Sequence, residues 1–268
     1  MSNPQTYKFN NLIVEKVSPE DVNLDSFEIK PKLNPKIWAT ENKIRPEVRK
    51  QLLKIADDFF DSLDIPWVEI KDVRLTGSLA NYNWSKFSDI DLHVIIDYKD
   101  VNDDVELVKE YLKLKKDSWN ELHDLTVNNF DIELYAQDYK EPHIATGVYS
   151  LEDNEWIKKP KKLKPKYDKN VVKEKAASII DEIDEIEDSF KAKDYEKVLK
   201  DYQPLWDKIK EMRKKGLTKS GEFSIENIVF KVLRRGEYLE KLTDLRNRAY
   251  DSINSITVMD ESAYLLNK

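Results

Sequence analysis

The stretch "TGSLANYNWSKFSDIDLHVII", Thr76 to Ile96, decides how the rest of the chain is read. From Asp89 to Ile96 the residues alternate and are rich in β-branched types, which predicts a strand. Asp89 and Asp91 then share one side of it, roughly 6.5–7 Å apart along the backbone. Bare carboxylates that close repel each other, and a divalent cation between them, or two, keeps both ionised. Magnesium, or manganese in its place, prefers oxygen ligands and leaves positions open for phosphate oxygens. Two ions about 3.5–4 Å apart clamp the attacking and leaving oxygens of an in-line displacement. Such a site calls for a third carboxylate from a neighbouring strand. In "VNNFDIELY", residues 127–135, Asp131 is the candidate and Glu133 its competitor on the same face.

Gly77-Ser78 supplies the other half. A strand that ends in Gly-Ser and turns into a short helix offers backbone N–H groups and a hydroxyl to a triphosphate tail. The glycine lets backbone approach a ligand closely. Near it, Ser88 either makes a local turn hydrogen bond or touches a phosphate, and Lys86 is either solvated or reaches the triphosphate. Trp84 lies in the same loop and is placed to stack on a base. His93 falls on the Asp89/Asp91 face by parity. For His143, in "PHIATGVYS", a base-contacting loop and a packing strand are equally open.

The chain has 268 residues, 40% apolar and 36% charged, which suits a globular protein with a charged surface. Its net charge of −7 argues against a protein whose main work is coating nucleic acid, and leaves room for an acidic enzyme with a local basic patch. The absence of cysteine excludes disulfides, thiolate catalysis and Cys-ligated zinc. Only 5 glycines argue against a dinucleotide fold. With no leader pattern in "MSNPQTYKFNN" and no run of about 20 apolar residues, the expectation is a soluble cytoplasmic protein without membrane contact.

Residues 1–44, with four prolines, predict an extended arm over the body. Pro46 opens a helix with Val48, Leu52, Ile55, Phe59 and Leu63 on one face. Val68 to Thr76 reads as one or two short strands, Asp103 to Leu122 as a helix, and Val127 to Tyr135 as a strand. The Lys/Pro-rich "KKPKKLKPKYDK" (158–169) is a linker or, by its charge density, a nucleic-acid contact. After it, seams at Val172–Phe190 and Tyr195–Met212 predict an antiparallel helical hairpin. Ser224 caps a further helix through Arg235. There, Arg234 and Arg235 either bind phosphate or pair with nearby glutamates. A last helix carries Leu239, Leu242, Leu245, Tyr250 and Ile253. The expected domains are an arm (1–44), a catalytic α+β domain (45–157), a linker (158–169) and an all-helical domain (170–268).

"GSLANYNWSKFSDIDLHV" resembles the signature of the DNA polymerase β-like nucleotidyltransferase superfamily: Gly-Ser, ten residues, then Asp-x-Asp in a hydrophobic strand. "FDIEL" is similar to the strand carrying that family's third acid. Within the superfamily the chain looks like the minimal nucleotidyltransferases and predicted nucleotidyltransferases of tailed phages, and "GEFSIENIVFKVLRRGEYLEKL" resembles those phage proteins as well. The resemblance implies a nucleotidyltransferase-fold mixed sheet and magnesium-dependent transfer of a nucleoside monophosphate from an NTP to an acceptor hydroxyl, releasing pyrophosphate. It implies that Gly77 and Ser78 hold the β/γ-phosphates, that Asp89 and Asp91 bind two metal ions, and that Asp131 binds the catalytic one and helps deprotonate the acceptor. One departure is Tyr82, which stands where many relatives have a second glycine. The lysine cluster favours an RNA end, such as tRNA, as acceptor. A protein, a small molecule or a second nucleotide are the other acceptors, and rival classes are a non-catalytic, antitoxin-like binding module and a metal-dependent phosphohydrolase.

Overall fold

The computed structural model describes residues 17–143, 145–162 and 167–255. The chain divides into two compact units, Leu24–Lys166 and, together, Met1–Asn23 with Tyr167–Lys268. The change of unit falls inside the Lys/Pro-rich stretch.

The first unit is α+β. It runs β1 (Trp38–Thr40), β2 (Lys43–Ile44), α1 (Pro46–Ser62), β3 (Asp72–Thr76), β4 (Ile90–Ile96), α2 (Tyr98–Val101), α3 (Val105–Leu122), β5 (Thr126–Val127), β6 (Phe130–Asp138), β7 (Val148–Ser150) and β8 (Glu155–Lys158). β1 and β2 form a small ribbon. The other six strands form one mixed sheet in the order β5-β6-β4-β3-β7-β8, with β4 and β6 parallel and their other neighbours antiparallel. The alternation in β4 becomes burial on one side: Ile90, Leu92, Val94 and Ile96 are fully buried. They share one core cluster with Val48, Leu52, Ile55 and Phe59 of α1 and with Val108 and Leu112 of α3. The opposite face carries Asp72, Arg74 and Thr76 of β3, Asp91 and His93 of β4, and Glu133, Tyr135 and Gln137 of β6. A sheet with helices against one face sorts its residues this way.

Local chemistry sets the ends of the elements. Pro46 sits in the first turn of α1, and the Asp104 carboxylate accepts from Leu107 N–H at the start of α3. α3 also closes the edge of β6. The Asn120 side-chain amide donates to Leu134 O and accepts from Leu134 N–H, both at 3.1 Å, in place of a neighbouring strand.

Two sequence expectations differ from what is found. The strand expected at 127–135 is a hairpin: Asn128 and Asn129 both take positive φ, 54° and 66°, and Val127 pairs with Phe130 across them. Asparagine accepts this left-handed pair, which is the turn that matches strand twist. Between Val68 and Thr76 one short strand forms, Asp72–Thr76, as expected. The expected arm is largely core. Its residues 1–16 lie outside the described residues, but Leu33, Ile37, Trp38 and Ile44 are buried in the main cluster. Trp38 stacks on Trp156 at 4.5 Å and meets Tyr149 edge-on at 4.9 Å.

The second unit holds α4 (Lys169–Lys191), α5 (Tyr195–Ser220), α6 (Ile225–Arg235) and α7 (Tyr238–Asn254). The predicted seams of α4 and α5 bury Val172, Ala176, Ile179, Ile183 and Ile186 against Val198, Tyr202, Leu205 and Ile209. Asp168, Asp194 and Ser224 cap three of the helices through their side chains. Arg234 and Arg235 fall in the last turn of α6, where positive charge complements the helix dipole. In α7, Leu239, Leu242 and Leu245 are buried as expected, but Ala249 continues that face, and Tyr250 and Ile253 are exposed. Lys241 bridges Asp184 and Glu187, each at 2.8 Å.

The load on β4 gives a stability prediction. Leu92→Ala should lower the unfolding free energy by about 2–5 kcal/mol, read as a lower urea midpoint at unchanged slope. A loss below about 1 kcal/mol would mean that β4 is not the packed centre of this unit.

Candidate functional site

β3 ends at Thr76, which pairs with Asp91, and the chain turns at Gly77 with φ +71°. A Cβ at Gly77 would lie 1.7 Å from Asp91 Oδ2 and 2.6 Å from its Cγ. The carboxylate therefore lies directly on the glycine. Any side chain at Gly77 would displace it, and would also strain the left-handed backbone. Sequence reasoning assigned the close approach to a ligand; in the fold, the group that Gly77 admits is Asp91 itself.

Asn81 N–H donates to Ser78 O at 3.1 Å and closes a turn over 78–81. Ser78 Oγ donates to Ser88 Oγ at 2.7 Å, and Ser88 Oγ also accepts from Ser85 N–H at 2.9 Å. These bonds tie the exit of β3 to the entry of β4, so Ser88 makes the local turn bond with its hydroxyl inward. Lys86 is exposed, with its ammonium 4.8 Å from the Phe87 ring centroid. Trp84 donates its indole N–H to Lys32 O at 2.8 Å and packs against the core. The same early segment holds the turn elsewhere: Trp38 Nε1–H donates to Leu79 O at 2.8 Å, and Lys30 N–H to Tyr82 O at 2.7 Å. The buried Tyr82 hydroxyl bonds to Glu41, and burial, reinforced by that carboxylate, pushes its pKa up to about 12.

The acids meet on the polar face. The parallel register sets Asp91 beside Glu133 and Ile90 beside Ile132, with Asp89 just before β4 and Asp131 two residues ahead of Glu133 in β6. His93 and Tyr135, the next pair on that face, stack at 4.7 Å. Adjacent strands lie about 4.8 Å apart and same-face neighbours about 6.5–7 Å apart, so the four carboxylates occupy one corner of the sheet beside Gly77. Asp89 and Asp91 are half-buried and Asp131 is exposed. Glu133 lies 3.8 Å from Lys116 Nζ, which also sits 4.8 Å from the Tyr135 ring centroid. An ammonium so placed offsets the Glu133 charge, whereas no ion pair from the described residues reaches Asp131. Among the described residues, no three acidic or histidine side chains are gathered around one point as they stand. The donor set is all oxygen and fits a hard cation.

Further along this face, sequence reasoning missed a polar network. Asp72 accepts from Arg74 Nε–H and from Ser150 Oγ–H, both at 2.7 Å. The signal was present in "DVRLT", where Asp72, Arg74 and Thr76 alternate with Val73 and Leu75. His93 meets His143 edge-on at 5.4 Å. Burial, then the neighbouring His143, holds the His93 pKa down to about 4. Burial, then Arg74, lowers that of His143 as well. Of the lysine cluster, Lys158 Nζ donates to Ala145 O at 2.8 Å and Lys159 Nζ to Asn42 Oδ1 at 2.5 Å. Lys162 Nζ sits 4.8 Å from the Tyr82 ring centroid. Lys164 and Lys166 lie outside the described residues.

Comparison of the chain with known proteins finds no matching family model, no matching curated protein and no matching solved structure. Among the described residues, no helix is long and apolar enough to cross a membrane.

Two measurements check this geometry. Gly77→Ala and Asp91→Ala should couple in a double-mutant cycle: the alanine costs about 1–3 kcal/mol less once the Asp91 carboxylate is gone, and additive effects would contradict the contact. Folded His93 titrates below its unfolded value, so its contribution is complete above about pH 6.5 and fades as pH falls toward about 4. Over that window His93→Gln should remove up to about 1.4 kcal/mol per pH unit of acid destabilisation, read from urea midpoints; parallel curves for both proteins would contradict a neutral His93.

Proposed function

We propose that the chain is a metal-dependent nucleotidyltransferase that moves a nucleoside monophosphate from an NTP to an acceptor hydroxyl. The observation that carries this reading is the corner where Asp91 lies on Gly77, with Glu133 beside it, Asp131 on the Glu133 side of β6 and Asp89 just before β4. It agrees with the Gly-Ser and Asp-x-Asp spacing. A nucleotidyltransferase-type mixed sheet followed by an all-helical unit is the finer fold assignment that goes with it.

In this reading Gly77 and Ser78 hold the β- and γ-phosphates at the turn. Asp89 and Asp91 hold two magnesium or manganese ions, which when bound offset the charge of the phosphates. Asp131 completes the set and takes the proton of the acceptor hydroxyl. The acceptor oxygen forms its bond to the α-phosphorus, the bond to the bridging oxygen breaks, and pyrophosphate leaves with that electron pair. Asp131 is favoured over Glu133 because Lys116 already engages Glu133. An RNA end as acceptor rests on the lysine-rich stretch from Lys158 onward.

The test has two parts. NTP with Mn²⁺ should raise the melting temperature of the wild-type protein and of Glu133→Gln, but not that of Asp89→Asn or Asp91→Asn. With α-³²P-NTP and a total RNA and protein extract, a macromolecule should become labelled as pyrophosphate is released. Asp131→Asn should cut labelling by about 10²–10⁴-fold, and Glu133→Gln by less than about tenfold. No thermal shift in the wild type would favour a non-catalytic binding module, and release of free phosphate without labelling a phosphohydrolase.

A further inference from the structure

The fold brings the ammonium of Lys162 over the ring of Tyr82, just past the turn that Ser78 opens. Gly147, just ahead of β7, packs against that turn so closely that a Cβ there would lie 2.0 Å from Ala80 O and 3.3 Å from Pro160 Cβ. Beside it, Asn81 Nδ2–H donates to Thr146 Oγ1 at 2.5 Å. Pro160 is buried in this contact, and Lys158 is fastened to Ala145 O. The segment that leaves β8 is thus pinned along the turn that Ser78 opens. Two residues beyond Pro160, the exposed Lys162 lays its ammonium over the ring of Tyr82, the residue that follows the closed 78–81 turn. The ring is itself held through its hydroxyl by Glu41, and the Tyr82 backbone carbonyl accepts from Lys30 N–H. A cation over a fixed aromatic face has fewer states to lose when an anion arrives. Lys86, the lysine nearest in sequence, instead sits over its own neighbour Phe87.

We infer that Lys162 is a donor-binding residue: its ammonium holds the terminal phosphates of the NTP at the Gly-Ser turn, with Tyr82 as its positioning residue. The inference rests on the nucleotidyltransferase reading. It makes Lys162 part of the triphosphate site rather than an acceptor contact.

Equilibrium binding of ATP and AMP in Mn²⁺, and of a single-stranded RNA oligonucleotide, is measured for wild type, Lys162→Ala, Lys162→Arg and Lys86→Ala. Lys162 is exposed, so the variants should keep the wild-type melting temperature. Lys162→Ala should weaken ATP binding roughly tenfold, the worth of one charge-assisted contact. AMP and RNA binding should be unchanged, Lys162→Arg should retain most of the ATP affinity, and Lys86→Ala should change it by less than about twofold. In turnover, the loss should fall on KM for the NTP rather than on kcat. Wild-type ATP binding that Lys162→Ala leaves intact overturns this inference alone, as does a loss confined to the RNA. Failure of the wild type to bind ATP overturns the underlying reading and this inference together.

Discussion

A carboxylate resting on a glycine is the contact on which the rest of the site depends. Asp91 Oδ2 occupies the space that any β-carbon at Gly77 would need. This contact fixes two things at once. It forces Gly77 into the left-handed backbone that turns the chain out of β3. It holds the Asp91 head at the end of the sheet beside the Ser78 hydroxyl. It also sits at the end of the β3–β4 ladder, where Thr76 pairs with Asp91. The question of why charges interrupt a strand has a physical answer. β4 turns Ile90, Leu92, Val94 and Ile96 into the core, Asp91 lies on its other face, and Asp89 stands just before the strand.

The turn that receives Gly77 is held by distant parts of the chain. Trp38 and Lys30 reach it from the early segment, and Thr146, Gly147 and Pro160 press on it from the end of the same unit. Such support matters because a loop of this length has little stiffness of its own. A site that meets a triphosphate and two ions, as proposed, needs its groups fixed to a fraction of an ångström. The tryptophans and tyrosines packed around the turn, buried Trp38, Tyr82 and Tyr149 with half-buried Trp156, provide that rigidity.

What was legible in the sequence was what short-range periodicity encodes. The alternation of β4, the inward faces of α1 and α3, and the two seams of α4 and α5 appear where the residue pattern put them. Gly77, Ser78, Asp89 and Asp91 stood out because unusual residues interrupt such patterns. The early segment was not legible, since its apolar residues find partners far along the chain: Trp38 packs on Trp156 and bonds to Leu79. The Asn128-Asn129 turn was hidden within an apparently continuous strand, although two asparagines in a row are a turn signal. Neither the capture of Glu133 by Lys116 nor the pressing of His93 against His143 has a local signature. Both depend on which strands become neighbours, and the sheet order places β6 beside β4 through a crossover containing two helices.

The central claim is that Asp89 and Asp91 share divalent cations at the Gly-Ser turn. The most direct measurement is a crystal structure of the protein with Mn²⁺ and a non-hydrolysable NTP analogue, read by anomalous scattering at the manganese edge. The account predicts anomalous peaks within about 2.5 Å of carboxylate oxygens of both Asp89 and Asp91, with the triphosphate against Ser78. Manganese bound elsewhere at saturating concentration, with those carboxylates unoccupied, would contradict it.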